Sequence, residues 1–382
     1  MMRKLAVLFL LPLIFSCGGS SSEKAESGNI LENLTYTVDT VVVNAKGRIF
    51  DLSMGIHNSS ISSDLSTFYH FDIKKFFMNE VNLNRLELTG IHPFTTEGPD
   101  GVGFNPPRIQ SLGNDRVFMA STGIGAGIFS KSGKKEKSLK FNFREIDGLT
   151  QFEEGLITNQ VILSDDEKYM FSTTRNLPSN EEVFLYVIDT ENKSGKNIAL
   201  PALNLALEST IWLVSGNSGT VHQEAIFTQL VDGKIYISST VTSDVYYYNY
   251  LQDSLQLFEF PHQLVNPKKT GSVQRQYSDE KPFDLERAKL LYQTGFEKLL
   301  WDDERNQFFR FARKPIPDEE RKWYERADIY LFAYDKDLNL LGEKYLPELN
   351  EVPEFPFFKD GKLWSYVNVE DELGFAVIDF KF

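Results

Sequence analysis

The sequence predicts an all-β fold, a six-bladed β-propeller whose ring is closed by its N-terminal strand. Three observations predict it. A hairpin unit recurs along the chain, strand-forming aromatic residues are spread through it, and the two ends supply complementary parts of one further unit. Aromatic residues make up 13% of the chain, with 31 Phe and 16 Tyr. Such side chains, with the β-branched ones, fit the pleated surface of a strand.

The front end comes first in chain order. Arg3 and Lys4 are followed by an apolar run from Leu5 to Phe15, broken only by Pro12, and then by Ser16 and Cys17. A positive start, a short apolar stretch and a small residue describe a secretory signal, since a spanning helix needs about 20 apolar residues. Residues 1–16 are therefore expected to be a signal peptide. Leu13-Ile14-Phe15-Ser16-Cys17 resembles the lipobox of bacterial lipoproteins. That resemblance implies cleavage before Cys17, a diacylglycerol on its thiol and an acyl chain such as palmitate on its amine. Several chains anchor far more firmly than one, each buried methylene adding about 0.8 kcal/mol. Gly18 to Asn29 is small and polar, so residues 17–30 read as a lipidated flexible tether. Gly18 is not an inner-membrane retention aspartate, so the resemblance places the chain at the outer membrane, facing either the periplasm or the surface.

Residues 31–382 are expected to form the propeller. In "LTYTVDTVVVNAKG", Tyr36, Val38, Thr40 and Val42 alternate with Thr37, Asp39 and Val41, a period of two. The recurring unit follows: an apolar strand, a tight acidic turn and a second strand ending in small or hydroxyl residues. Its copies turn at Gly113-Asn114-Asp115, Asp165-Asp166, Asp232-Gly233, Asp302 to Asn306 and Asp360-Gly361. Asp-Gly between alternating apolar runs is a strong hairpin signal. Third strands end in Asp189, Asn249, Asp335 and Asp379. With Asp72 as the marker of an irregular first copy, the mean interval is about 61 residues. A β-sandwich would lack this repetition. Residues 262–295 interrupt the series with a helix, capped by Ser278 or Asp279 and presenting Leu285, Ala288, Lys289 and Tyr292 on one face. It reads as a cover for an exposed edge or as a lid. The chain ends at "GFAVIDFKF", a third strand that the N-terminal strand is expected to complete.

"HPFTTEGPDGVGF", His92 to Phe104, carries an EGP-Asp-Gly-x-Gly segment ahead of "PPRIQSL". With "YTVDTVVVNAKG" and Arg310 in "QFFRFARK", it resembles an uncharacterised Gram-negative lipoprotein family with a six-bladed propeller-like domain of unknown function. The resemblance implies architecture and location, and no catalytic residues. The glycines themselves read as a compact crossover, with backbone amides and Arg108 facing an anion as the functional alternative.

Known chemistry is mostly excluded. The formal charge of −14 repels nucleic acid. The five histidines, at 57, 70, 92, 222 and 262, lack metal-ligand spacing, so no metal or cofactor is expected. "DKDLNLLGEKYL" fails as a calcium loop at Leu340 and Leu346, "VSGNSGT" fails as a nucleophile elbow at Val214, and "TGIGAGIF" fails as a dinucleotide loop at Ile128. The candidate ligand-binding residues are Arg108, Arg175, Trp212, His222, Arg310 and Arg313, where loops gather on one face. Arginine beside aromatics suits a carboxylate, phosphate or sugar, while pairing of the arginines with the surplus acids is the structural alternative. The expected function is an envelope lipoprotein that binds a protein partner or small ligand. The alternatives are a hydrolase or lyase acting on an extracytoplasmic substrate, and a structural subunit.

Overall fold

A computed structural model describes residues 28–53, 55–104, 108–121, 125–140, 143–150, 161–174, 180–215, 218–272, 274–317 and 326–382. Cys17, the signal and most of the tether lie outside these residues, as does Arg175. The fold is all-β and propeller-like. Among the described residues six four-stranded antiparallel sheets follow one another along the chain; five are built in sequence order from the innermost strand outward, and the sixth takes its outermost strand from the N-terminus. Their innermost strands are Ser59–Ile61, Arg108–Ser111, Ile162–Leu163, Ile226–Val231, Gly295–Asp302 and Phe357–Lys359.

The turns form where local chemistry demands them. Asp232-Gly233 and Asp360-Gly361 have positive φ at both central residues, the geometry that matches strand twist in a two-residue hairpin. Asp189, Asn249 and Asp335 end third strands, and each side-chain oxygen accepts from backbone N–H groups of the following turn. In the first sheet that place belongs to Asn82, which accepts from Arg85 N. Asp72 instead ends the second strand, one strand earlier than the repeat count assumes.

Six apolar clusters hold the sheets together, and each lies between consecutive sheets. The last joins Trp364 and Phe375 of the sixth sheet to Phe68 and Val81 of the first. Middle strands are buried on both faces and so read as nearly continuous apolar runs, as in Val117, Phe118, Met119 and Ala120. Each buried aromatic or aliphatic side chain contributes about 1.5–3 kcal/mol.

The N-terminal strand Thr35–Val42 pairs antiparallel with the C-terminal strand along its full length, from Thr35 opposite Lys381 to Val42 opposite Gly374. Its alternation does not give it a buried face. Tyr36 and Val41 are half-buried, but Val38 and Val42 are exposed. The backbone ladder therefore holds this strand more than burial does. Order begins earlier than residue 31: the Asn29 side chain donates to Glu343 O (2.8 Å) and accepts from Glu343 N (3.1 Å), imitating a strand pair.

The insertion contains the expected helix, Glu280–Leu291, with Asp279 at its N-cap position. Its buried face is Phe283 and Leu290, while Leu285 is exposed. This corrects the expected face. The helix packs on a hairpin absent from the sequence reading, Ile211–Ser215 with Ser218–His222, which a short parallel strand Gln276–Tyr277 joins as a third member. The flanks of "VSGNSGT" are strands of this hairpin.

Candidate functional site

Residues of all six innermost strands or their entries line a cavity of about 1440 Å³, which also runs along the outer strands of the fifth and sixth sheets as far as Ala376, Ile378 and Val38. Ser60, Arg108, Ile162, Phe227, Lys298 and Phe355 line it, one from each sheet or its entry. Its wall is stitched between sheets. Gln110 donates to Leu163 O (2.8 Å) and accepts from Leu163 N (2.9 Å). Gln229 does the same with Leu299, at 2.8 and 3.1 Å. Both glutamines stand three residues before a hairpin turn, so the repeat places the same side-chain amide against the next sheet. Ser60 Oγ accepts from Ser111 N at 3.1 Å.

The fifth innermost strand departs from regular pairing. Phe296 opposes Ala312 and Leu299 opposes Arg310, leaving Glu297 and Lys298 opposite Phe311 alone. This β-bulge re-aims side chains, and both Glu297 and Lys298 consequently face the cavity. Arg310 holds it. Its Nε donates to Glu297 O (2.6 Å), Nη1 to Ser243 O (2.6 Å), and Nη2 to Ser239 O (3.0 Å) and Thr242 O (3.3 Å). The guanidinium is fully buried and lies 5.0 Å from the Phe296 ring centroid. Arg310 is thus spent on backbone carbonyls and does not face a ligand. Nor does it form an ion pair with an acid among the described residues, the structural alternative read from the sequence.

Seven charged side chains line the cavity, Arg108, Lys298 and Arg313 against Asp165, Glu297, Glu351 and Glu354. Arg313 Nη1 lies 3.1 Å from Glu297 Oε1, a neutralised pair. Arg108 and Lys298 have no ion-pair or hydrogen-bond partner for their charged ends among the described residues. The Lys298 ammonium sits 5.6 Å from the Phe355 ring centroid. Both keep a water-accessible edge on the cavity, yet protein encloses them. Burial first, and the nearby Arg108 charge second, pull the Lys298 ammonium down to about 8. Burial likewise lowers the Arg108 guanidinium, which stays protonated at physiological pH. Asp165, also on the wall, has its carboxyl pushed up by burial and by neighbouring Asp166.

The remaining candidates lie elsewhere. Trp212 and His222 belong to the additional hairpin and occupy opposite faces, since Trp212 opposes Val221 and Ile211 opposes His222. Trp212 shares its face with exposed Val214 and Val221. His222 joins a closed cluster: its Nε2 is 3.3 Å from Glu224 Oε1, Lys269 Nζ is 2.7 Å from the same oxygen, and Thr240 Oγ1 donates to Glu224 Oε2 at 2.5 Å. Burial alone would raise the Glu224 carboxyl. The His222 hydrogen bond, the Lys269 charge and the Thr240 hydroxyl outweigh it and hold the group at about 2. This cluster ties the insertion to the fourth sheet. Among the described residues no group of three His, Cys, Asp or Glu is placed to hold a metal, and no helix is long and apolar enough to cross a membrane.

Of the six sequence candidates, then, Arg108 and Arg313 reach the cavity and Trp212, His222 and Arg310 do not. Lys298 was missed. Its signal was the charged pair Glu297-Lys298 interrupting an apolar strand, which breaks the period of two and marks a bulge.

Three comparisons bear on this geometry. The profile of a family described as "Domain of unknown function (DUF4221)" matches residues 27–345. The structure of a member of that family from Bacteroides vulgatus superimposes with a TM-score of 0.59 at 11% identity, covering 91% of this chain and 98% of that one. A protein from Bacteroides fragilis described as exported superimposes with a TM-score of 0.52 at 7% identity, covering 91% and 96%. These likenesses concern the fold alone. No curated protein matches the chain in sequence.

Proposed function

The chain belongs to the DUF4221 family, and from that premise we propose that it is a lipid-anchored cell-envelope binding module, a six-bladed β-propeller that takes a ligand in its central channel. Six consecutive sheets and six intervening clusters, the last joining sixth to first, support the six-bladed ring. Cys17 behind its apolar run supports the anchor, and the outer membrane is the destination that fits Gly18. The observation that carries the binding reading is the cavity of about 1440 Å³ onto which all six sheets converge. Large concave sites with a few convergent polar groups are where small molecules bind. The hydrolase or lyase alternative draws no support from the His222–Glu224–Lys269 cluster, whose polar atoms engage one another away from the cavity.

The test is native mass spectrometry of the protein purified from detergent-solubilised envelopes, with Cys17→Ala as the control. A diacylglyceryl mass on the Cys17 peptide, with release of Cys17→Ala from membranes, supports the anchor. A small molecule that co-purifies and is displaced by substitutions on the cavity wall supports the module. An unmodified Cys17, or a cavity that never carries a ligand while a protein partner co-purifies, would replace this reading with an assembly subunit.

A further inference from the structure

We infer that the channel selects an organic anion, with a carboxylate or phosphate head held between Arg108 and Lys298 and an apolar body against Phe227, Phe355 and Tyr366. This rests on the reading of the channel as a ligand site and adds the ligand's class.

Arg108 opens the innermost strand of the second sheet, and Lys298 lies in the bulge of the fifth. Two sheets stand between them in either direction around the six, so the two cations face one another across the cavity that both line. The chain has 54 acids for 40 bases, so partners are plentiful elsewhere, yet among the described residues these two enclosed cations have none. Glu297, beside Lys298, is engaged by Arg313 at 3.1 Å. Asp165, Glu351 and Glu354 also line the cavity, but among the described residues none of them forms an ion pair with Arg108 or Lys298, so the two cations remain the groups open to an anion. An unpaired enclosed charge is costly unless a counter-charge arrives.

The bulge is a built feature, because Arg310 fastens its Glu297 carbonyl from behind at 2.6 Å. Arg310 is therefore a positioning residue for Lys298. A planar guanidinium and a compact ammonium suit a carboxylate or phosphate. The cavity is far larger than one inorganic ion, and its aromatic wall gives an apolar body a surface to cover.

The experiment is calorimetric titration of the intact lipidated chain in detergent micelles with phenyl phosphate, benzoate, inorganic phosphate and benzyl alcohol. At least one aromatic anion is expected to bind tenfold or more tightly than benzyl alcohol, and Arg108→Gln and Lys298→Met each to weaken it at least tenfold. Phenyl phosphate against benzoate separates the two head groups. If benzyl alcohol binds as well as the anions, the channel remains a ligand site and the anionic class is overturned. If no anion binds, or if both variants bind undiminished, the inference falls. A second readout keeps it testable should a variant misfold: reductive methylation of Lys298 at pH 8, mapped by peptide mass. It should be fast in the free protein, where the ammonium lies near 8, and slowed about tenfold by a saturating anion. An unchanged rate with bound anion places the anion elsewhere and overturns the site.

Discussion

Two arginines, Arg310 and Arg108, sit close to the same cavity and do opposite things. Arg310 is sealed in, with four backbone carbonyls around its guanidinium. Arg108 is enclosed but faces the cavity without a partner among the described residues. The same contrast separates Glu224, wired to His222, Lys269 and Thr240, from the solitary Lys298. Completed polar networks rigidify a fold, and incomplete ones are where a ligand can finish the job. Substitutions should therefore divide by region, with large stability losses in the first class and binding losses in the second.

The largest effect should come from Arg310→Met. It strips the hydrogen bonds from four carbonyls and frees the bulge, and breaking a buried charged network of this kind destabilises by about 3–5 kcal/mol. Thermal unfolding followed by circular dichroism measures it. A loss below about 1 kcal/mol, the typical point-mutant effect, would erase the distinction between the two arginines.

Glu224→Gln comes next, because it leaves Lys269 buried beside a neutral amide, and about 3 kcal/mol is expected. The effect has a pH signature. The Glu224 carboxyl is held at about 2 in the folded protein, against about 4.3 for an unfolded glutamate. A depressed carboxylate contributes stability that is full above the unfolded value and is lost as pH falls toward the folded one. The wild type should lose that share between about pH 4.3 and 2, and Glu224→Gln should lose none of it. Parallel acid-unfolding curves for the two proteins would contradict this assignment.

A smaller loss tests the crossover between the first and second sheets. A Cβ at Gly101 would stand 2.7 Å from Thr96 O and 2.9 Å from Glu97 Cα, both backbone atoms. Asp100 next to it accepts from Lys135 N at 2.9 Å, so the segment cannot swing away freely. Gly101→Ala should destabilise by about 1–3 kcal/mol, as overpacking does, and should leave binding of phenyl phosphate unchanged. A binding loss without a stability loss would move this glycine-rich segment from scaffold to site.

What the residues revealed in advance follows the range of the forces involved. The hairpin turns were legible because Asp232-Gly233 needs only its own φ angles. Pairing of Thr35–Val42 with the last strand was legible because its period of two marked it as a strand outside the hairpin repeat. The helix at 280–291 was legible in position but not in orientation: Phe283 and Leu290 won burial over Leu285 because Ile211, some 70 residues earlier, lies against them. Arg108 could be suspected from its neighbours. The pair Glu297-Lys298 marked only a bulge, since the role of Lys298 comes from the fastening by Arg310 and from a cation on the opposite sheet. The hairpin carrying Trp212 and His222 was missed for a similar reason, as its parallel partner Gln276–Tyr277 arrives from the insertion.

The smallest expected effect has the opposite sign. Lys298→Met keeps the length of the side chain and removes a cation that no described residue neutralises. The folded protein holds that ammonium at about 8, whereas an unfolded lysine titrates near about 10.4. A lowered lysine value means that the fold disfavours the charged form. The penalty is therefore full below about pH 8 and vanishes once pH exceeds about 10.4, where both states are neutral. Because Lys298 keeps some access to channel water, the gain from removing it should be about 1 kcal/mol at pH 7, within the range seen when function is traded for stability. It should shrink to nothing as the measurement is repeated toward pH 10.5, about where the unfolded lysine loses its charge. Phenyl phosphate should erase the wild type's disadvantage at pH 7, since a bound anion supplies the missing partner. A destabilised Lys298→Met would mean that the ammonium already has a partner in the folded chain, and Arg108 and Lys298 would then join Arg310 among the completed networks.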